Sequence, residues 1–250
     1  MVSIVIVNYR SKIYLAKCLF SINKYSFNEE LEIIVVNNDQ KEKLTELVNK
    51  YPRVRLYQNK KNTGFGAACN FGAQKAQGEN ILFLNPDTQF LNNYIKEILI
   101  KIQRYKDKVI IIGPRLITDK GKTQEWGAGK EITFTQIIKN NLGIIESRSL
   151  WESKQDIMVD WVSGATLLIK KSIFDKLGGF DENFFMYAED LDLCVRAKDL
   201  NSEFQVLYSP ELTILHSGGK SRESLIKQKI QFFKSSLYYL IKRRKKRNKK

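Results

Sequence analysis

Apolar residues in the first hundred positions fall into two alternating kinds of run. Ser3–Val7 is a short β-branched stretch, and the residues around Tyr14–Ile22 then repeat at helical spacing. The exchange recurs: Glu32–Val36 reads as a strand and Lys43–Lys50 as a helix, Arg53–Tyr57 as a strand and Gly66–Ala76 as a helix, and Ile81–Leu84 as a fourth strand. Such alternation predicts a parallel sheet wrapped by helices, because each crossover helix must bury its apolar stripe against the strands it connects. Val109–Ile112 adds a candidate strand. From Gly113 to Asp160 the pattern weakens, punctuated by Gly121, Gly127, Gly129 and Gly143, which signals excursions from the sheet. Strand character returns at Ala165–Ile169 and at Phe204–Tyr208.

Three polar clusters come directly after predicted strands: Asn8-Tyr9-Arg10, Asn37-Asn38-Asp39 and Asn85-Pro86-Asp87-Thr88. The carboxyl ends of the strands form the ligand crevice of an open α/β sheet, so these clusters would converge there. Turn chemistry alone explains Asn and Asp at any one place; the three together favour a site. A glycine-fingerprint dinucleotide fold is excluded. Asn-Tyr-Arg-Ser follows the first strand, no Gly-x-x-x-x-Gly-Lys-Ser/Thr occurs, and Gly64-Phe-Gly-Ala-Ala-Cys69 lacks a third glycine. Tyr9 offers a stacking face for a base, while Asn8, Asn38 and Asp39 offer edge hydrogen bonds. Asp87 suits Mg2+ or Mn2+, which take one or two carboxylates and complete their shells with phosphates and water.

Five carboxylates, Asp181, Glu182, Glu189, Asp190 and Asp192, lie within twelve residues around Phe184, Phe185, Met186 and Tyr187, and no Lys falls between Gly178 and Ala197. Acids beside aromatic side chains are costly to desolvate unless something pairs with them or uses them. Glu189-Asp190 opens a predicted helix, Glu189–Leu200, whose N-terminal dipole favours a charged carboxylate suited to a general base. Successive helical residues diverge by about 100°, so one of the two faces the crevice. Asp192 and Arg196 are i, i+4 partners for an ion pair, and Asp181-Glu182 reads as a polar turn. The only histidine, His216, is followed by Ser217, Gly218, Gly219 and Lys220. A lone histidine is usually a satisfied structural residue; here the phosphate-friendly loop and the affinity of imidazole for Mn2+ make it a candidate ligand.

Composition sets the outer limits. The 250 residues include 14 Phe and 11 Tyr and are 43% hydrophobic, enough for one large α/β domain. Cys18, Cys69 and Cys194 are far apart with no Cys-x-x-Cys, which points to a reducing compartment and against a thiolate zinc site. The apolar N-terminus has no basic lead or cleavage site, and no apolar stretch approaches the ~20 residues that span a bilayer. The reading is a cytoplasmic protein. Its net charge is +15, and Lys242–Lys250 carries eight Lys or Arg in nine positions. Ahead of that tail Leu225-Ile226, Ile230, Phe233, Leu237 and Leu240-Ile241 repeat at helical spacing. Two readings follow: a helix docked on its own domain with a solvated tail, or adhesion to an anionic membrane surface through Lys242–Lys250. Nucleic acid ranks behind both, since no recognition fold accompanies the charge.

Taken in order, seven pieces resemble a bacterial family 2 glycosyltransferase with the GT-A fold, nearest in pattern to rhamnosyltransferase-like members. They are Val-Ser-Ile-Val-Ile-Val-Asn-Tyr, Glu-Ile-Ile-Val-Val-Asn-Asn-Asp, Asn62-Thr-Gly-Phe-Gly-Ala-Ala-Cys-Asn70-Phe-Gly, Leu-Asn-Pro-Asp87-Thr, Trp161-Val-Ser-Gly-Ala165, Phe-Met-Tyr-Ala-Glu-Asp190-Leu-Asp-Leu-Cys-Val-Arg196 and Leu-His216-Ser-Gly-Gly. The resemblance covers about residues 1 to 220 and implies a GT-A domain over 1–221, with a nucleotide-binding half 1–112 and an acceptor half 113–221. An amphipathic helix and basic tail, 222–250, would follow. It implies that Asn8, Tyr9, Arg10, Asn37, Asn38, Asp39, Asn62, Gly64, Phe65, Asn70, Asn85, Asp87 and Gly164 serve the nucleotide donor. Trp161 and Arg196 would shape the sugar and acceptor pocket, and Asp87 with His216 would hold Mg2+ or Mn2+. Asp190 would be the base, with Glu189 as its alternate. Two departures stand out: Asn37 occupies a place where the family often has Asp, and the metal motif Asn-Pro-Asp has one carboxylate instead of two. The implied reaction is inverting transfer of a sugar, first rhamnose from a deoxythymidine diphosphate donor and otherwise a UDP- or GDP-sugar. The acceptor would be a hydroxyl of a saccharide or lipid-linked saccharide in cell-surface polysaccharide synthesis. The alternatives are a nucleotide-sugar-binding protein without catalysis and a nucleotidyltransferase.

Overall fold

A computed structural model describes residues 1–106, 108–133, 135–136, 148–218 and 225–247. Gly143, Gly219, Lys220, residues 222–224 and the last three tail positions lie outside the described residues. The strands are β1 (Val2–Asn8), β2 (Leu31–Asn37), β3 (Val54–Gln58), β4 (Asn80–Leu84), β5 (Thr88–Phe90), β6 (Val109–Ile117), β7 (Ala128–Gly129), β8 (Ile157–Val159), β9 (Trp161–Val162), β10 (Thr166–Lys170) and β11 (Gln205–His216). The helices are α1 (Lys12–Tyr25), α2 (Thr45–Val48), α3 (Phe65–Ala73), α4 (Tyr94–Arg104), α5 (Arg148–Trp151), α6 (Lys171–Lys176), α7 (Glu189–Lys198) and α8 (Leu225–Arg247).

The main sheet runs β3-β2-β1-β4-β10-β6-β11-β5, with β8 added against β11. β3, β2, β1 and β4 are parallel throughout, as the alternation predicts. β10 enters antiparallel to both β4 and β6, while β6 and β11 are parallel to each other. Every residue of β1 is buried, because both faces are covered. Ile4 and Ile6 pack with Leu15, Leu19, Ile95 and Ile98 of α1 and α4. Val5 and Val7 point the other way, into a cluster with Ala68 and Cys69 of α3, Phe174 of α6, and Leu191 and Cys194 of α7. The helix expected over 43–50 shortens to the single turn of α2. In compensation α4, absent from the sequence reading, buries Tyr94, Ile95, Ile98 and Ile102 behind an Asn93 cap that accepts the Lys96 N–H at 3.2 Å.

Strand direction assembles the site. The parallel strands β1, β2 and β4 end at one edge, which brings the three polar clusters together. Because β10 is antiparallel to β4, with Thr166 opposite Leu84, the Ser163–Ala165 turn arrives at that same edge, where the Asn85 N–H donates to the Ala165 carbonyl at 2.9 Å. β11 is long enough to reach β5, with His216 opposite Thr88, and this register sets the only histidine beside Asp87.

α8 docks on the body through a mixed face: Tyr239 is buried in the core cluster, Tyr238 and Leu240 pack against it, and polar and basic groups bond around them. Tyr239 and Arg243 bond Glu131 at 3.0 and 2.8 Å, Lys246 pairs with Asp199 at 2.9 Å, and Ser235 donates to the Met186 carbonyl at 2.7 Å. Three of the basic residues in the supposed solvated tail, Lys242, Arg243 and Lys246, therefore turn inward onto acids. Among the described residues no helix is long and apolar enough to cross a membrane. The three cysteines are free and buried.

Candidate active site

A cavity of about 470 Å³ opens at the carboxyl edge of β1, β2 and β4. Tyr9, Asn38, Asn62, Gly64, Phe65, Asn85, Asp87, Trp161, Gly164, Glu189, Asp190 and His216 line it. Asn8, Arg10, Asn37, Asp39, Asn70 and Arg196 do not; they stand behind the lining or away from it.

The floor is a network of amides. Asn8 and Asn37 are opposite each other in the β1–β2 register, and Asn8 Nδ2 donates to Asn37 Oδ1 at 3.0 Å and to Glu42 Oε2 at 2.8 Å. One residue on, Asn38 faces the cavity, and its Nδ2 donates to Asn62 Oδ1 at 3.1 Å and to the Gly64 carbonyl at 3.0 Å. Asp39 is buried and paired with Arg10 at 3.5 Å, while the Arg10 guanidinium lies 5.0 Å from the Tyr9 ring centre. Arg10 thus braces the Tyr9 ring.

Gly64 makes the tightest backbone approach. Its φ of +87° suits only glycine, and a Cβ there would fall 2.5 Å from the Phe185 carbonyl oxygen, which accepts the Phe65 N–H at 3.0 Å. The contact ties the start of α3 to the segment that leads into α7. Tyr187 and Ala188, the two residues before the acid pair, also have positive φ, 69° and 66°. Such strain in non-glycine residues persists only where the surroundings over-determine it.

Asp190 is half-buried with both oxygens held: Oδ2 accepts the Gly164 N–H and Oδ1 the Leu191 N–H, each at 2.8 Å. Burial raises its carboxyl above the ordinary value, and the two N–H donors pull it back. Glu189 is fully buried with Oε2 unpartnered; burial first and the neighbouring Asp190 second push it well above the carboxylate range. Of the two, Glu189 is pushed further toward its neutral form, while two N–H donors hold the charge of Asp190.

His216 Nδ1 lies 2.8 Å from Gln124 Oε1, and Nε2 lies 3.2 Å from Asp87 Oδ1 without forming a hydrogen bond. A buried imidazole nitrogen left open beside a carboxylate fits a divalent cation. Among the described residues no three acidic, His or Cys side chains cluster as a complete cage.

The model of glycosyl transferase family 2 matches residues 3–176. The chain belongs to that family. Among relatives, this glycosyltransferase is 29% identical to rhamnosyltransferase WbbL of Escherichia coli K12, over 98% of this chain and 94% of that protein. It is 29% identical to N-acetylglucosaminyl-diphospho-decaprenol L-rhamnosyltransferase of Mycobacterium tuberculosis, over 68% of this chain and 60% of that one. Its fold matches GalNAc-T7 crystallised with UDP, GalNAc and Mn2+, at TM-score 0.67 and 18% identity over 90% of this chain and 45% of the other. It also matches the mannosyltransferase PcManGT of Pyrobaculum calidifontis with GDP-Man and Mn2+, at TM-score 0.62 and 14% identity over 88% and 58%. The fold is GT-A.

Several lining residues of the glycosyltransferase carry no signal in its sequence. Gln124 and Trp126 come from the segment of weak periodicity, and Phe232 and Ser236 come from α8. Glu42 accepts the Ser11 and Lys12 N–H groups at 3.1 and 3.3 Å, so it holds the start of α1 as well as Asn8. Asn70 bonds the Phe180 backbone and Glu182, and Arg196 bonds Asp192 and the carbonyls of Leu177 and Gly179. Both fix the loop before the acid pair. Of the five acids, Asp190 and Glu189 reach the cavity, whereas Asp181 and Asp192 share Lys242 at 2.7 Å each.

Proposed function

We propose that this glycosyltransferase transfers rhamnose, with inversion, from a deoxythymidine diphosphate donor to a hydroxyl of a lipid-linked saccharide during synthesis of a cell-surface polysaccharide. The observation that carries the reading is that Asp190 lines the same cavity as the Asp87–His216 pair. The names of the Escherichia coli and Mycobacterium tuberculosis relatives support the sugar, and the second supports a lipid diphosphate acceptor. Residues 1–112 would serve the nucleotide and 113–221 the acceptor, with 222–250 as an appended helix and tail beside an anionic membrane surface.

Asp190 takes the proton of the acceptor hydroxyl as that oxygen bonds to the anomeric carbon. The bond from that carbon to the diphosphate oxygen breaks on the opposite side, and its electron pair leaves with the nucleoside diphosphate. The Gly164 and Leu191 N–H groups fix the carboxylate during this step, and burial of Glu189 disfavours a second charge beside it. Tyr9, braced by Arg10, stacks on the base, and Asn38 with Asn62 shapes the ribose side. Asp87 and His216 would hold Mg2+ or Mn2+, which offsets the charge growing on the departing diphosphate.

The test is release of nucleoside diphosphate from dTDP-rhamnose, UDP-sugars and GDP-sugars, each with Mn2+ or Mg2+ and a lipid-linked saccharide. Acceptor-dependent release from dTDP-rhamnose is expected. Release from a UDP- or GDP-sugar alone would replace the donor, and transfer to free saccharide only would remove the lipid.

A further inference from the structure

α8 carries apolar side chains on two sides: Tyr238, Tyr239 and Leu240 pack on the core, and a second apolar stripe faces outward. Its polar and basic residues Ser235, Tyr239, Lys242, Arg243 and Lys246 face the body, where Glu131, Asp181, Asp192 and Asp199 receive them. The apolar residues Ile230, Phe233, Leu237 and Ile241, spaced three or four apart, form one stripe on the outside and are 44–58% exposed. A helix added merely to cover the body would turn that stripe inward. Exposed cations flank the stripe at Lys229, Lys234, Arg244 and Lys245, none of which pairs with an acid among the described residues. The side that meets the cavity carries Phe232, 6.0 Å from the Tyr187 ring, and Ser236.

We infer that the outward face of α8 is an interfacial membrane anchor that lies in the plane of an anionic bilayer beside the cavity that Phe232 and Ser236 line. An apolar stripe rimmed by Lys and Arg is the pattern that inserts among acyl chains while its cations meet lipid phosphates. A second copy of the chain fits less well. Four half-exposed side chains offer on the order of 400 Å², about half of the ~800 Å² each partner gives to a standard interface. Pairing two stripes would also bring the flanking cations of two chains of net charge +15 together. The anchor gives a reason for the inward pairing of Lys242, Arg243 and Lys246: they hold the helix on the enzyme while its other face is committed to lipid. The purpose of the anchor rests on the proposed lipid-linked acceptor; its existence does not.

The experiment is co-sedimentation of the full chain with phosphatidylcholine vesicles, pure or containing about one-third phosphatidylglycerol. Wild type binds the anionic vesicles and weakens as salt rises. Phe233→Ser with Leu237→Ser lowers partitioning by about tenfold or more, with melting temperature and donor hydrolysis unchanged. Arg244→Glu with Lys245→Glu removes the preference for anionic lipid. The inference is overturned if wild type stays in solution, or if the serine variant binds as well as wild type. It is equally overturned if gel filtration shows a dimer that the serine variant dissociates, which gives the stripe to a second copy. Vesicle binding needs neither donor nor acceptor, so it can fail while the transfer reading stands, and the reverse.

Discussion

Gln124 Oε1 lies 2.8 Å from Nδ1 of His216, and this contact decides what the only histidine presents to Asp87. An amide oxygen can only accept, so Nδ1 carries a proton; in the neutral imidazole Nε2 is then an acceptor, 3.2 Å from the Asp87 carboxylate. Two buried acceptors turned toward each other are unfavourable unless a proton or a cation lies between them. Gln124→Leu releases the tautomer and the ring orientation. Affinity for Mn2+ in the presence of nucleoside diphosphate is expected to fall about 10–100-fold, as it does when an outer partner of a ligating histidine is lost. Calorimetric titration measures it, and an unchanged affinity would move the cation away from His216.

Asp190→Asn tests the base. An amide cannot accept from both Gly164 and Leu191 with its two ends, and it cannot take a proton from the acceptor. Turnover should drop about 10²–10⁴-fold, with donor affinity within a few-fold in a binding titration. Near-wild-type turnover would pass the role to Glu189. The pH profile adds a signed prediction. Burial raises the Asp190 carboxyl, and the base works only when ionised, so activity is lost as pH falls through a value above the usual aspartate pKa of about 3.9.

Glu189→Gln should behave in the opposite way. Burial pushes this glutamate, whose Oε2 has no partner, well toward its neutral form, and glutamine copies that form in shape and charge. Turnover is expected to stay within a few-fold of wild type. Because the folded pKa exceeds the unfolded value of about 4.3, the folded state holds the extra proton between the two, and stability declines as pH rises from the lower to the higher. Glutamine abolishes that decline. Thermal melts of the two proteins should agree near pH 4, with the variant melting higher on the alkaline side; a lower-melting variant would mean that Glu189 is charged and held by a partner.

How much of this was legible in the sequence depends on whether the signal was local. The strand ends carrying Asn38, Asn85 and Asp87 could be read because period and turn chemistry act within a few residues. Asn8 and Asn37 shared that signal yet point into the sheet edge, since side chains alternate along a strand and the residue at its end sets the next one into the crevice. Asn70 and Arg196 belong to recognisable motifs but act on the loop before α7, a contact 110 residues distant in the case of Asn70. Gln124 had no periodic context at all. For α8 the periodicity marked an apolar stripe without saying which side met the protein. That choice was made by Glu131, Asp181, Asp192 and Asp199, acids far away in sequence whose convergence only the fold creates.

Lys242 is the clearest test of that convergence. Its ammonium lies 2.7 Å from both Asp181 Oδ2 and Asp192 Oδ1, and 5.6 Å from the centre of the Phe184 ring. Burial works against a charge on Asp181, but Lys242 and the Asn183 N–H outweigh it and bring the pKa down to about 2. A depressed folded pKa contributes stability that is present above the unfolded value of about 3.9 and is lost as pH falls toward the folded one. Lys242→Ala removes the cation between the two carboxylates, leaving Asp181 beside an Asp192 that keeps only Arg196, at 2.6 Å. The expected loss is about 1–3 kcal/mol at pH 7, below the cost of a fully buried pair because Lys242 is partly exposed. Protonation of the acids relieves the repulsion, so the gap between variant and wild type should narrow toward pH 3. Urea unfolding at both pH values measures it, and equal stability at pH 7 would mean that α8 is held by the Arg243 contacts without this bridge.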